Sequence, residues 1–363
     1  MMKKNLFRGA VYALLLPLLV SCSDDSDFTP IQSGPFKLVS HTLEGVKVNE
    51  LILKGDMIFA ATEDGVYGRQ VNSPDIRFIT MGLKGKNIRD IHPFTVSEVL
   101  ASEVTFSSEG NQIQLYRTGN AGTDWEEYET NFGDSLADAD GLGDFEPVPS
   151  QPNHLYASGN RVVAKSTDKG KTWEPVWGEW GMAGTADMIL KVNPKKPDEI
   201  WAGGQGNIEN GFLVRVTGNE ETGYWDDLVP NPTVVKELVF DRENPQTMYV
   251  GWEGALTKTV DNGVTWTTLI DRVETKDFYF GIGISTQDPN IVFAGKWLKG
   301  GVSQPLEISY SKDKGETWES HSFPHITNGG ILDLKVIRQG NLDRIFVGLD
   351  KGGIVELQFE LDQ

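Results

Sequence analysis

The chain has a single cysteine, Cys22, among 363 residues, so no disulfide can form within it and packing and hydrogen bonds must hold the fold. Histidine is scarce too, with five scattered residues, and without a second cysteine no ligand cluster of the zinc type is present. Basic groups are outnumbered, 33 against 52 acidic ones, which leaves a net charge of −19. A body this negative repels phosphate backbones and anionic membrane surfaces, which excludes nucleic acid as a partner. Long apolar runs are missing as well. The one that stands out, Val11 to Val20, falls short of the roughly 20 residues that a stable membrane span requires.

That short run has a recognisable setting. Lys3, Lys4 and Arg8 precede it, the layout of a secretory signal. It ends in Leu19-Val20-Ser21-Cys22, which resembles the lipobox of bacterial lipoproteins. The resemblance implies a signal peptide over residues 1–21, lipid on Cys22 and attachment to the outer membrane. The following Ser23-Asp24-Asp25-Ser26-Asp27 is similar to the acidic tag that sends Bacteroidetes-type lipoproteins to the cell surface; it also reads as a solvated tether. Residues 22–34, rich in Ser, Asp, Thr and Pro, form that flexible tether. Loss of the leader, which holds three basic residues and no acidic one, makes the remainder more negative still.

Internal repetition governs the rest. The octapeptide Ser311-Lys312-Asp313-Lys314-Gly315-Glu316-Thr317-Trp318 recurs at Ser166 to Trp173 and at Thr259 to Trp266, with degenerate copies at Thr118 to Trp125 and Thr217 to Trp225. It reads as a tight turn: Asp accepts hydrogen bonds from N–H groups two residues on, Gly supplies φ > 0, and Trp packs as the next strand begins. A second motif, one large apolar residue followed by small ones, closes a short strand at Phe59, Leu100, Tyr156, Trp201, Tyr249, Phe293 and Phe346. These seven positions lie 41 to 56 residues apart, the length of one four-stranded propeller blade. The last blade runs out after three strands, and Phe36 to Ser40 is left over ahead of the first. The expected fold is therefore all-β, a single seven-bladed β-propeller of four-stranded antiparallel blades over residues 35–363, closed by the N-terminal strand so that no sheet edge stays open.

The pattern Ser/Thr-x-Asp-x-Gly-x-Thr-Trp resembles the Asp box, or bacterial neuraminidase repeat, of a propeller superfamily that includes sialidases, xyloglucan-degrading glycosidases, sortilin-type receptors and photosystem II assembly factors. The resemblance implies that Asp168, Asp261 and Asp313 form turns and do not touch ligand. In a four-stranded meander those turns occupy one face of the ring, so function is sought on the opposite face, where the second-to-third and blade-to-blade loops gather.

On that loop face the sequence places Trp177, Trp180, Trp252 with Glu253, Lys296, Trp297 and Lys299, and beside them Tyr279. Aromatic faces of this kind stack on sugar rings or grip peptide side chains, and equally serve to cap blade cores. Six of the seven first strands carry an acid at one register position: Glu50, Asp90, Asp144, Asp187, Glu237 and Asp333, with Gly281 in the seventh. Such a ring could hold a cation or a basic ligand; alternatively each acid accepts backbone hydrogen bonds from the next blade. In the loop from Asp134 to Glu146, Asp138, Asp140 and Asp144 offer hard oxygen ligands that suit calcium, though the spacing is not that of an EF-hand and a solvated acidic loop reads equally well. No other cofactor is signalled. The family's Phe/Tyr-Arg-Ile-Pro signature is missing. The function expected is thus a glycan- or protein-binding lipoprotein accessory to an outer-membrane uptake or assembly complex, with a sialidase-like or other glycosidase using loop-face carboxylates as the alternative.

Overall fold

We describe a computed structural model of the chain, covering residues 31–107, 110–130, 142–159, 162–178, 189–205, 211–225, 234–271, 276–300 and 303–360. The leader, Cys22 and most of the tether lie outside these residues. Within them every regular element is a strand. The strands form seven antiparallel sheets, each built from consecutive strands except the last. Blades 1 to 6 occupy residues 48–80, 88–128, 144–178, 189–225, 235–270 and 277–323.

Blade 7 takes its first three strands from the C-terminal end, β27 (Ile331–Gln339), β28 (Leu342–Leu349) and β29 (Gly353–Phe359), and its fourth from β2 (Phe36–Thr42). Phe36 pairs with Phe359 and Thr42 with Ile354. The alternation of Phe36, Leu38 and Ser40 drives this closure: all three side chains are buried, and Phe36 lies 5.0 Å from Phe359 and 5.7 Å from Tyr310, between blades 6 and 7. One further strand, β1 (Ile31–Ser33), folds back on β2, so this sheet has five strands where four were expected.

The Asp-type turns join third to fourth strands. Their bonding differs from the sequence expectation in reach. Asp168 Oδ1 accepts from the N–H of Lys171 (3.0 Å) and of Thr172 (2.9 Å), three and four residues on, while its Oδ2 takes the Thr172 hydroxyl at 2.7 Å. The longer reach follows from two successive residues in the left-handed region, Lys169 (φ 65°) and Gly170 (φ 78°), which curl the chain around the carboxylate. Asp261 and Asp313 repeat the pattern. Each box also ties two blades together. The carbonyls of Lys169, Asn262 and Lys314 accept from Arg117, Arg215 and Lys258 of the preceding blade, at 3.4, 2.8 and 3.0 Å. The boxes are therefore fully engaged in architecture.

Candidate functional site

First strands line the central channel: β3 (Val48–Lys54), β7 (Ile88–Pro93), β11 (Asp144–Pro147), β15 (Ile189–Val192), β19 (Val235–Phe240), β23 (Asp277–Ile284) and β27. Five of them share a defect. The ladder to the second strand slips between Val48 and Glu50, Ile88 and Asp90, Val235 and Glu237, Phe278 and Gly281, and Ile331 and Asp333. A bulge of this kind re-aims the side chain that it skips. Asn49, Arg89, Lys236, Leu332 and, in blade 6, Tyr279 with Phe280 are the skipped residues, and all but Tyr279 line one cavity of about 320 Å³ at the channel mouth. They stand immediately before the ring position in the sequence alignment of first strands, so their signal was visible but masked by the acids beside them. Lys47 and Asn87 complete a rim rich in hydrogen-bond donors.

The acids behind the rim serve the architecture first. Asp333 Oδ2 accepts the Leu51 N–H of blade 1 at 2.7 Å, and its Oδ1 accepts the Leu334 N–H. Asp90 Oδ2 accepts the Phe145 N–H of blade 3 at 2.5 Å, and its Oδ1 the Ile91 N–H. Of the two expectations for the ring, backbone bonding to the next blade is what these two residues do. Asp144 is instead clasped by Arg89 through two bonds of 2.8 and 2.7 Å. Asp187 lies outside the described residues. The missing seventh acid has a steric cause: a Cβ on Gly281 would sit 2.6 Å from Ile331 Cγ2, so blade 6 approaches blade 7 too closely for any side chain.

Deeper in the channel the charges interlock. Lys191 pairs with Glu237 at 3.1 Å, and Lys335 lies 3.1 Å from Asp333 and 3.9 Å from Glu50. Their side chains keep between 5 and 27% exposure, yet protein encloses them on every side, and that enclosure sets their charge. Burial raises both Glu50 and Asp90; the Glu50 charge and the hydrogen bond between the two push Asp90 well above the usual carboxylate range, while Lys335 restrains Glu50. Glu146, two residues beyond Asp144 on the same face of β11, is pushed up to about 7 by burial, against the pull of Lys191 and one N–H from Val192. Burial alone would lower Lys191, but Glu237, Glu146 and Glu50 outweigh it and hold the ammonium protonated. Glu146, Lys191 and Lys335 were not singled out in the sequence; period-two spacing from the ring acids marks Glu146 and Lys335.

The loop-face residues separate into groups. Glu253, Trp297 and Lys299 gather beside the mouth around Phe278 and Phe280. Glu253 Oε1 pairs with Lys236 Nζ at 3.0 Å, and that ammonium stands 4.9 Å from the Phe278 ring and 5.4 Å from Phe280. Trp297 packs 5.5 Å from Phe278 with its N–H on Asp350 Oδ2 at 2.7 Å, and Lys299 lies 5.4 Å from Phe278. Lys296 turns to Asp277 at 3.0 Å, near Tyr279. Trp252 corrects the expectation of an open aromatic face: it is 2% exposed, its N–H donating to Thr257 Oγ1, because the β20 strand (Met248–Trp252) runs into the blade core. Trp177 sits on a fourth strand at the outer rim, stacked on Phe212 at 6.0 Å with its N–H on Glu221, away from the channel. Trp180, Asp138 and Asp140 lie outside the described residues, and Asp144 is committed to Arg89. No group of three or more metal-ligand residues occurs among the described residues.

Seven blades, three of them with Asp boxes at the third-to-fourth turn and two with relics of one, define a repeat propeller, and comparison with known proteins agrees. No family model matches the chain. Over 183 residues it is 25% identical to a sialidase of Bacteroides fragilis, a match that covers 44% of this chain and 28% of that enzyme. Among solved structures, YCF48 bound to D1 peptide superposes with a TM-score of 0.60 at 12% identity, covering 92% of this chain and 99% of that one. The GH74 xyloglucanase from Xanthomonas campestris gives 0.61 at 13%, covering 90% of this chain and 53% of that one. The chain thus spans a little over a quarter of the sialidase and about half of the xyloglucanase. Repeats, blades and relatives together fit the Asp-box β-propeller superfamily, a fold shared by a sialidase, a xyloglucanase and a peptide-bound propeller.

Proposed function

We propose that the protein is a binding propeller, anchored by lipid on Cys22 at the cell surface, that holds a glycan or protein ligand at the mouth of its channel within an outer-membrane uptake or assembly complex. The observation that carries this reading is the set of bulges that turns Asn49, Arg89, Lys236, Phe280 and Leu332 into one cavity. The acid position behind them is largely tied to backbone and lysines, while the bulge position changes character from blade to blade. Fixed support with a variable rim is how a repeat fold builds a recognition surface. The peptide held by YCF48 shows a propeller of this fold in a binding role. In the hydrolase alternative, favoured by the sialidase relative, Glu253 and Tyr279 would do the chemistry. Glu253 is neutralised by Lys236, and burial, with Asp277 and Glu307 nearby, raises Tyr279, the direction opposite to an activated phenolate.

Calorimetry against a panel of oligosaccharides and synthetic peptides tests this. Phe280→Ala removes the largest apolar rim side chain and should weaken a mouth ligand about tenfold or more. Release of product from the same oligosaccharides by the wild-type protein would replace binding with hydrolysis. The anchor has its own check: in a bacterial host, Cys22→Ser should move the protein from the membrane fraction to the soluble one and abolish incorporation of a labelled fatty acid. Unchanged fractionation and labelling would remove the lipid from the proposal.

A further inference from the structure

A second cavity, of about 370 Å³ and separate from the channel, lies between the outer strand of blade 5, β22 (Thr267–Ile270), and the sheet of blade 6. Leu269, Ile270 and Trp318 give its lining apolar surface, and Asp271, Tyr279, Lys296, Glu307, Ser309 and Ser320 give it polar groups. The blade 6 bulge explains Tyr279, because this ladder skips two residues, Tyr279 together with Phe280, and the two part company: Phe280 lines the channel mouth and Tyr279 the cleft.

Tyr279 is 8% exposed, and among the described residues its hydroxyl makes no hydrogen bond. The hydroxyl is not sealed from solvent but opens on the cavity, where it is free to bond a ligand in place of water. Other capacity waits beside it. Ser309 and Ser320 share one hydrogen bond of 2.7 Å, which leaves each oxygen further bonding. Glu307 meets Lys296 only at 3.8 Å, since that ammonium is already held by Asp277 at 3.0 Å. With carboxylates outnumbering the single ammonium, the cleft repels an anionic ligand. Apolar surface combined with hydroxyl and carboxylate groups matches a molecule with a C–H face and a hydroxyl edge.

We propose that this cleft binds a neutral pyranose residue of a glycan, its ring face against Ile270 and Trp318 and its hydroxyls against Tyr279, Glu307 and Ser309. The site is distinct from the channel mouth and does not depend on the mouth's function.

Titration calorimetry of the intact protein with the methyl glycosides of glucose, galactose, mannose and xylose, and with N-acetylneuraminic acid, tests it. At least one neutral glycoside should saturate, and the acidic sugar should bind at least about tenfold more weakly. Tyr279→Phe should weaken the neutral sugar roughly five- to tenfold, as loss of one hydrogen bond does, with the unfolding temperature unchanged because no contact within the chain is lost. Ser309→Ala should weaken it independently, and it carries the test if the tyrosine variant misfolds. Failure of every neutral glycoside to saturate would overturn the proposal, as would unaltered affinity in both cleft variants or preference for the acidic sugar.

Discussion

Replacing Glu356 with alanine should lower the free energy of unfolding by about 3–5 kcal/mol, the typical result of stripping a buried charge of its partner. Glu356 is 1% exposed on β29. Its Oε2 meets Arg69 Nη1 at 2.7 Å, and its Oε1 meets Arg344 Nε and Nη2 at 2.7 and 2.6 Å. Ser40 donates to the same carboxylate, and Arg344 Nη1 donates to the Val71 carbonyl at 2.8 Å. Both guanidinium groups also lie over the Phe346 ring, at 5.6 and 5.2 Å. One anion thus compensates two cations, each about 3–4% exposed. Removing it leaves both uncompensated in a medium where they cannot shed their charge.

The location makes the loss global. Arg69 belongs to β5 (Gly65–Gln70) of blade 1, Glu356 and Arg344 to the C-terminal strands, and Ser40 to the closing strand. The cluster therefore sits where the two ends of the chain are joined, so its loss weakens the closure of the ring. Urea unfolding of wild type and variant measures the difference. A loss under about 1 kcal/mol would show that water reaches the cluster and screens it. Changing all three residues together, Arg69→Met, Glu356→Leu and Arg344→Met, should restore much of the loss, because apolar residues of similar size remove the desolvation penalty with the charges.

Nothing in the sequence announces this cluster. Arg69 and Glu356 lie 287 residues apart, and each reads alone as a charge on an otherwise apolar strand. The blades were legible because their cues are local and repeated: a large residue before small ones closing each second strand, and an Asp turn or its relic before the fourth strand in five of the seven. Closure by Phe36 to Ser40 was legible by elimination, since the last blade lacked a strand. β1 was not, because three residues without apolar periodicity carry no strand signal. The acid ring was visible as a column, yet its meaning depended on the backbone of the next blade, which only the assembled ring supplies. Bulges moved the candidate site one residue away from that column, to Asn49, Arg89, Lys236, Phe280 and Leu332. Trp252 and Trp297 look alike in sequence, each near a glycine and a charge. One is buried and the other sits at the rim because β24 (Val292–Leu298) continues past its blade core and β20 does not.

The buried channel acids give the protein a stability profile that peaks on the acid side of neutrality. Glu146 has a folded pKa of about 7 against 4.5 for its free value, so between those two values the folded state binds more protons than the unfolded state. Stability contributed by this group is complete below about pH 4.5 and is lost as pH rises towards 7. Asp90, raised well above its free value, adds to the same trend. The turn carboxylates act in a different window. Asp313 is held at about 2 by bonds from Thr317 and Ser311, so its contribution is present above its free value of 3.8 and disappears only below it. Those turns set the acid limit and the channel sets the decline above it. Between pH 5 and pH 8 the Glu146 carboxyl should account for about 1–2.5 kcal/mol, the upper figure being the part of the shift that falls in this window at 1.36 kcal/mol per unit and the lower allowing for solvent screening of a partly exposed group. Urea unfolding at pH 5, 6, 7 and 8 should show wild type losing stability across the series. Glu146→Gln, which keeps the shape and cannot ionise, should be close to wild type at pH 5, more stable than it at pH 8, and flatter between. A wild-type profile that rises from pH 5 to 8, or an identical slope in the glutamine variant, would mean that Glu146 is ionised in the folded protein and that Lys191 and Lys335 neutralise the channel more completely than their placement indicates.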